Sequence, residues 1–129
     1  FCLLNNVTNE LFYAGANRPL YLLKSSNEFI EYKASKYSVG GQNSANQNYE
    51  LNKIQLTKGD TVIISTDGYA DQFGGPNDKK FTTKKFKEIL KSTENNLPKE
   101  IKEKLELEHE QWKQKTVQTD DILVFIFKI

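Results

Sequence analysis

Four acidic residues lie beside the two most apolar strand-like segments of the sequence. Asp67 follows the β-branched run 61–65 and precedes Gly68, and Asp71 lies four positions further on. A carboxylate at the end of a rigid strand, next to a glycine turn, is well mounted to bind a metal ion. If the turn is helical, Asp67 and Asp71 can face the same point. Asp-Gly is also common in turns, and from spacing alone a turn-capping role for Asp67 is the better interpretation.

A second acidic pair, Asp120 and Asp121, directly precedes the closing apolar segment 122–127. Adjacent carboxylates beside a buried strand repel each other unless a cation, hydrogen-bond donors or water relieve them. A solvated turn is the simpler alternative. If both acidic strand ends converge at one sheet edge, they supply the oxygen ligands that suit Mg²⁺ or Mn²⁺. Zinc is disfavoured, because the only cysteine and the only histidine are far apart.

The elements that must position these carboxylates are strands first and helices later. The pattern predicts a sheet strand at 1–4, another at 11–13, a hairpin pairing 20–24 with 29–33, and a loop over 35–48. The run 61–65 reads as a central buried strand. Helical spacing of apolar residues then predicts one helix around 86–90 and a second that opens at Pro98, before a final strand at 122–127. This order predicts an α+β fold of antiparallel β-sheets packed with a helical pair.

Composition and charge argue against several classes of protein. The 129 residues suffice for one domain, and a net charge of +1 gives no overall field to attract nucleic acid or an acidic membrane. No apolar run approaches the length of a membrane span. A single cysteine, Cys2, predicts a reducing compartment, hence the cytoplasm, and its apolar neighbours predict a small buried side chain. His109 lies in a Lys/Glu-rich helix and is expected on a solvated face without a role.

Four segments, in order along the chain, resemble a known family. They are YAGANRPLY at 13–21, GDTVIISTDGYADQFGG at 59–75, Trp112 within the second helix, and QTDDI at 118–122. Together they resemble the sporulation stage II protein E (SpoIIE) phosphatases, a bacterial branch of the type 2C metal-dependent protein phosphatases. The resemblance implies that residues 1–129 form the C-terminal portion of one phosphatase domain, part of a type 2C phosphatase-like β-sandwich.

The resemblance also implies a chemistry and a set of residues. In this family two divalent ions, Mn²⁺ or Mg²⁺, polarise a water that attacks the phosphorus of a phosphoserine or phosphothreonine. By motif position Asp67 and Asp120 are metal ligands at the same ion, and Asp71 is a weaker candidate near an additional ion. Gly68 and Asp121 are expected to lie behind the ligands and support them.

One further residue is a candidate for the substrate. Arg18, in a tight turn before Pro19 and close to the acidic cluster, can contact phosphate bidentately, although simple turn geometry also accounts for it. The resemblance implies a phosphorylated protein as substrate, in relatives often an anti-sigma-factor antagonist, and an upstream sensor or receiver domain. Neither nucleic acid nor a membrane is expected to contact this segment.

The family needs further ligands that this sequence does not supply, including an earlier bridging aspartate and a Gly-His-Gly type segment. The chain also has no methionine and opens at Phe1 inside a predicted strand. It is therefore expected to be a piece of a longer protein, to bind metal weakly and to be inactive alone. Two alternatives stay open: a non-catalytic pseudo-phosphatase or protein-interaction module, and an unrelated β-rich domain whose acidic strand ends hold one structural cation.

Overall fold

A computed structural model of the chain describes residues 1–40, 47–93 and 96–129. The described residues form strands interrupted by three helices. In chain order the elements are β1 (Cys2–Asn5), β2 (Glu10–Tyr13), β3 (Leu20–Leu23), β4 (Phe29–Tyr32), β5 (Asn52–Gln55), β6 (Thr61–Ser65), α1 (Gly68–Asp71), β7 (Phe73–Gly74), β8 (Lys79–Lys80), α2 (Thr83–Lys91), α3 (Pro98–Lys113) and β9 (Val124–Lys128).

The strands form two main antiparallel sheets. One has the order β1-β2-β5, and the other has the order β4-β3-β6-β9. The β1-β2 and β3-β4 hairpins and the central position of β6 confirm the strand predictions. β7 and β8 form a small separate hairpin that the sequence pattern did not predict. The predicted loop 35–48 has neither helix nor strand where it is described, and its residues 41–46 lie outside the described part.

The four-stranded sheet lies between the helices and the other sheet. Because successive side chains of a strand point to opposite faces, β3 divides its apolar residues between two cores. Tyr21 and Leu23 pack with residues of α2 and α3, whereas Leu20 and Leu22 pack with residues of β2 and β5. Burial on both faces explains why this strand is apolar throughout, and the layers confirm the predicted α+β class.

The two long helices confirm the predicted helical pair. α2 begins after Thr82, whose hydroxyl accepts a hydrogen bond from the Lys85 backbone N–H at 3.4 Å. α3 begins at Pro98, and the Leu97 N–H is satisfied by the Glu100 carboxylate at 2.6 Å. Proline at the first helical position loses no hydrogen bond, which explains the sharp start. Within the described residues no helix is long and apolar enough to span a membrane.

Two predictions of side-chain environment are wrong. Cys2 is exposed; it is the first residue of β1, one of the two edge strands of its sheet. His109 is only 7% exposed rather than solvated. It continues the buried stripe of Ile101 and Leu105 at four-residue spacing along α3, so helical periodicity places it on the apolar face. Its ring packs against Tyr69 with 5.3 Å between ring centroids.

Burial makes His109 a source of acid sensitivity. Its Nε2 has no hydrogen-bond partner among the described residues. Burial lowers the pKa of His109, and Lys113 lowers it further, while Glu110 opposes the shift. The folded state therefore resists protonation that the unfolded state accepts near the ordinary pKa of about 6.5. Stability is full above that pH and falls as the pH drops through the folded pKa.

Replacing His109 by leucine should remove this component of acid sensitivity. We expect the wild-type chain to lose more free energy of unfolding between pH 7.5 and pH 5.5 than His109→Leu, as measured by urea denaturation. Carboxylates that titrate in this range affect both proteins and cancel in the comparison. Equal losses in the two proteins would contradict the assignment of a buried neutral imidazole.

Candidate metal centre

The two acidic strand ends meet at one edge of the four-stranded sheet. β6 and β9 are antiparallel, and Ser65 pairs with Val124. The end of β6 therefore lies beside the segment that leads into β9, as predicted for the two strand ends, while joint metal binding by Asp67 and Asp120 stays a prediction. Gly68 lies against the same segment, where a Cβ atom at its position would collide with the Asp121 carbonyl oxygen. Only glycine allows the two backbones to approach this closely.

The side chain of Asp67 does not cap the turn that follows. The turn is helical, and the Asp71 N–H donates to the Asp67 carbonyl oxygen at 2.9 Å, but the Asp67 carboxylate makes no capping hydrogen bond. Instead its Oδ2 lies 3.1 Å from a guanidinium nitrogen of Arg18, and the Asp67 side chain is 46% exposed. The turn-capping interpretation is thus wrong, and the carboxylate faces outward from a rigid mount.

Arg18 is held by the turn that links β2 and β3. Its carbonyl oxygen accepts a hydrogen bond from the Tyr13 hydroxyl. Burial raises the pKa of Tyr13 to about 12, so this hydroxyl stays protonated and donates. The neighbouring Asn17 adopts a positive φ of 60° and donates its N–H to the Ser35 carbonyl at 2.8 Å. The turn is therefore fixed by backbone contacts, which leaves the guanidinium available for the site.

Arg18 and Asp67 share a cavity of about 280 Å³. The residues that line it come from the β2-β3 turn, β3, the end of β6, α1 and α2: Asn17, Arg18, Pro19, Tyr21, Ser65, Thr66, Asp67, Tyr69, Ala70, Thr83 and Phe86. In the described part of the chain neither Asp120 nor Asp121 belongs to this lining. The structure thus brings the predicted phosphate contact to one predicted metal ligand.

The remaining acidic side chains have separate surroundings. Asp71 pairs with Lys80, at 3.1 Å between carboxylate oxygen and ammonium nitrogen. Asp120 and Asp121 are exposed, and an Asp120 carboxylate oxygen accepts the Asp121 N–H at 2.7 Å. Among the described residues, no three His, Cys, Asp or Glu side chains are grouped closely enough to hold a metal ion.

The type of donor atom at this edge suits a divalent cation, but the number of donors is too small. The side chains at this edge are carboxylates, the ligands that Mg²⁺ and Mn²⁺ prefer. Their number is too small for a closed site within the described residues. Asp67 and Asp120 therefore fit one side of a metal centre, and a complete centre needs oxygen ligands from elsewhere.

Two residues without a predicted role tie the acidic segments together. The Thr66 hydroxyl donates to the Asp121 carbonyl at 3.1 Å and accepts the Leu123 N–H at 3.0 Å. Gln72 is fully buried, and its amide bonds to the backbone of Val117 and Thr119. Sequence reasoning missed both, because nothing in a polar residue of a turn motif predicts which distant backbone it will bind.

Comparison with known proteins decides the family. The family model of Stage II sporulation protein E (SpoIIE) matches residues 1–129. The chain belongs to this family. The SpoIIE assignment confirms the resemblance carried by the four sequence segments, and no curated protein matches the chain significantly.

Solved structures agree with the SpoIIE assignment. The SiaA-PP2C domain of Pseudomonas aeruginosa is 26% identical with a TM-score of 0.83, over 95% of this chain and 47% of that chain. The Mn-presoaked phosphatase domain of the cell fate determinant SpoIIE from Bacillus subtilis is 19% identical with a TM-score of 0.70, over 100% and 55%. RsbX in complex with magnesium is 20% identical with a TM-score of 0.55, over 95% and 50%. The chain thus spans about half the length of these solved chains.

Proposed function

We propose that this chain is the C-terminal part of a metal-dependent serine/threonine protein phosphatase domain. The observation that carries the proposal is the Arg18–Asp67 pair at the end of β6, beside the antiparallel segment that leads into β9. Asp67 and Asp120 would be ligands on one side of a Mn²⁺ or Mg²⁺ centre, and Asp71 a weaker candidate for a further ion. Two of the solved relatives were studied with manganese or magnesium, which agrees with this choice of metals.

The residues of this chain have distinct tasks in phosphate-ester hydrolysis. When bound, the divalent ions supply a polarised water as the nucleophile. Arg18 binds and orients the phosphate, because its guanidinium carries N–H donors beyond the one that faces Asp67. The β2-β3 turn fixes the Arg18 backbone, so little backbone conformational entropy is lost when phosphate binds.

We propose that the missing oxygen ligands come from a part of the complete domain that this chain does not contain. The solved relatives are about twice as long as this chain. One-sided ligation gives low metal affinity, so the 129-residue chain alone should not catalyse hydrolysis. A phosphorylated protein, such as an anti-sigma-factor antagonist, is the substrate class that we propose for the complete domain.

The test compares the 129-residue chain with the complete domain. We expect Mn²⁺-dependent release of inorganic phosphate from a phosphoserine peptide by the complete domain, and no release above background by the chain alone. Chelation with EDTA is the control, and it should abolish the release. Release by the chain alone would refute the proposed division of the site. No release by the complete domain would favour the pseudo-phosphatase or interaction-module alternative.

A further inference from the structure

Gln72 is a buried side-chain amide that joins two segments far apart in sequence. Gln72 directly follows α1 and is 0% exposed. Its Nε2 donates to the Val117 carbonyl at 3.0 Å and to the Phe73 carbonyl at 2.9 Å. Its Oε1 accepts the Thr119 N–H at 3.1 Å. Both ends of the amide are therefore satisfied, and two of its three bonds hold residues that lead into Asp120.

The backbone of Gln72 is also a junction. Its carbonyl oxygen accepts the Phe81 N–H at 2.8 Å and the Trp112 indole N–H at 3.2 Å. The start of the β8-α2 connection and the end of α3 therefore fix the position of Gln72. Because the Gln72 backbone is held in this way, its side chain can keep its own hydrogen-bond partners in place.

Asp120 lies between two attachments of the same kind. On its N-terminal side Gln72 binds Val117 and Thr119, and on its C-terminal side Thr66 binds the backbone of Asp121 and Leu123. The exposed loop around Asp120 has no other regular structure. Without these attachments the loop would lose its register against residues 66–72, which carry Asp67.

We propose that Gln72 is a positioning residue that fixes the segment carrying Asp120 against residues 66–72, which carry Asp67, for metal binding. The inference rests on the proposed function for the identity of the ligands, but the contacts themselves do not depend on it. A buried amide suits the task, because breaking its hydrogen bonds leaves backbone groups unsatisfied and so penalises any other loop position. Partners that orient metal ligands commonly change metal affinity when they are replaced.

The first experiment measures the contact in the 129-residue chain without metal. We expect Gln72→Met, which keeps the length of the side chain but removes both hydrogen-bonding groups, to speed amide hydrogen exchange at Thr119 roughly tenfold. The exchange at Ile63, in the centre of β6, reports global unfolding and serves as the internal reference. Thr93→Val is the matched control, because Thr93 is also 0% exposed and its hydroxyl, among the described residues, bonds to the Leu90 carbonyl at 2.7 Å.

The inference is supported if amide hydrogen exchange accelerates more at Thr119 than at Ile63 in Gln72→Met, but not in Thr93→Val. Equal acceleration at both amides would overturn it, since Gln72 would then contribute only to global stability. If Gln72→Met does not fold, Gln72→Asn keeps a polar amide but shortens its reach by one methylene, and the same comparison applies.

The second experiment measures Mn²⁺ affinity of the complete domain by isothermal titration calorimetry. We expect Gln72→Met to weaken the affinity about tenfold relative to Thr93→Val. Equal affinities would overturn the positioning role. A complete domain that binds Mn²⁺ in this Gln72-dependent way but releases no phosphate would refute the proposed function alone, and a complete domain without Mn²⁺ binding would overturn both.

Discussion

Replacing Asp67 by asparagine should lower Mn²⁺-dependent phosphate release by the complete domain about 100-fold or more. Residues that merely support metal ligands already change affinity or activity by about 10–100-fold, and loss of a ligand charge should exceed that range. The fold should persist, because the contact that Asp67 loses among the described residues is a half-exposed ion pair with Arg18, and such pairs contribute about 0–1 kcal/mol. Phosphate release at saturating Mn²⁺ and the urea midpoint together check this expectation.

Two matched variants separate ligation from a general loss of negative charge. Asp78→Asn removes an exposed carboxylate from a turn with a positive φ of 46°, a conformation that asparagine accepts, and should leave the activity unchanged. Asp71→Asn should have a smaller effect than Asp67→Asn, because the Asp71 carboxylate pairs with Lys80 rather than with Arg18. Equal activity of Asp67→Asn and Asp78→Asn would contradict the assignment of Asp67.

Replacing Asp60 by alanine should cause the largest loss of stability, roughly 2–4 kcal/mol. Asp60 is 0% exposed. Its carboxylate accepts hydrogen bonds from the Lys24 ammonium at 2.6 Å and from the Ser25 and Thr57 N–H groups at 2.9 Å each. These bonds join the β3-β4 turn to the β5-β6 turn. Alanine would leave two backbone donors unsatisfied and a mostly buried ammonium without its partner. Urea unfolding of the 129-residue chain measures the loss.

The same contact predicts how the effect of Asp60→Ala depends on pH. Burial alone would raise the pKa of Asp60, but the bonds from Lys24, Ser25 and Thr57 outweigh it and hold the pKa below its usual range. The stabilisation is therefore present above the ordinary pKa of about 4 and is lost as the pH falls through the folded value. The gap between wild type and Asp60→Ala should narrow in acid.

A surface pair provides the control for Asp60. Glu106 forms an exposed ion pair with Lys102 on α3, at 2.7 Å, and Glu106→Ala should change stability by less than about 0.5 kcal/mol. A loss for Asp60→Ala no larger than that for Glu106→Ala would contradict the buried network.

Much of the fold could be predicted from local patterns. The β3-β4 hairpin and α2 follow from runs of apolar residues with a strand or helix period and from turn residues between them. The burial of His109 was not predicted from its local sequence. Its charged neighbours suggested a solvated face, but its spacing from Leu105 decides its burial, because a helix face is set by period and not by the nearest residues.

The site divides in the same way. The positions of Asp67 and Asp120 near two strand ends could be predicted from the sequence, because strand boundaries depend on neighbouring residues. That these ends meet depended on the pairing of β6 with β9, a contact between residues about sixty positions apart. Cys2 was misjudged for the related reason that an edge strand and a central strand can have the same local sequence.

The order of elements, the acidic strand ends and the resemblance to the SpoIIE phosphatases follow from the sequence, because each depends on residues close together in the chain. The partner of each polar group follows from the fold: Arg18 for Asp67, Lys24 for Asp60, and the 117–119 backbone for Gln72. Hydrogen bonds and ion pairs act over about 3 Å, so their partners are defined only after the chain has brought distant segments together.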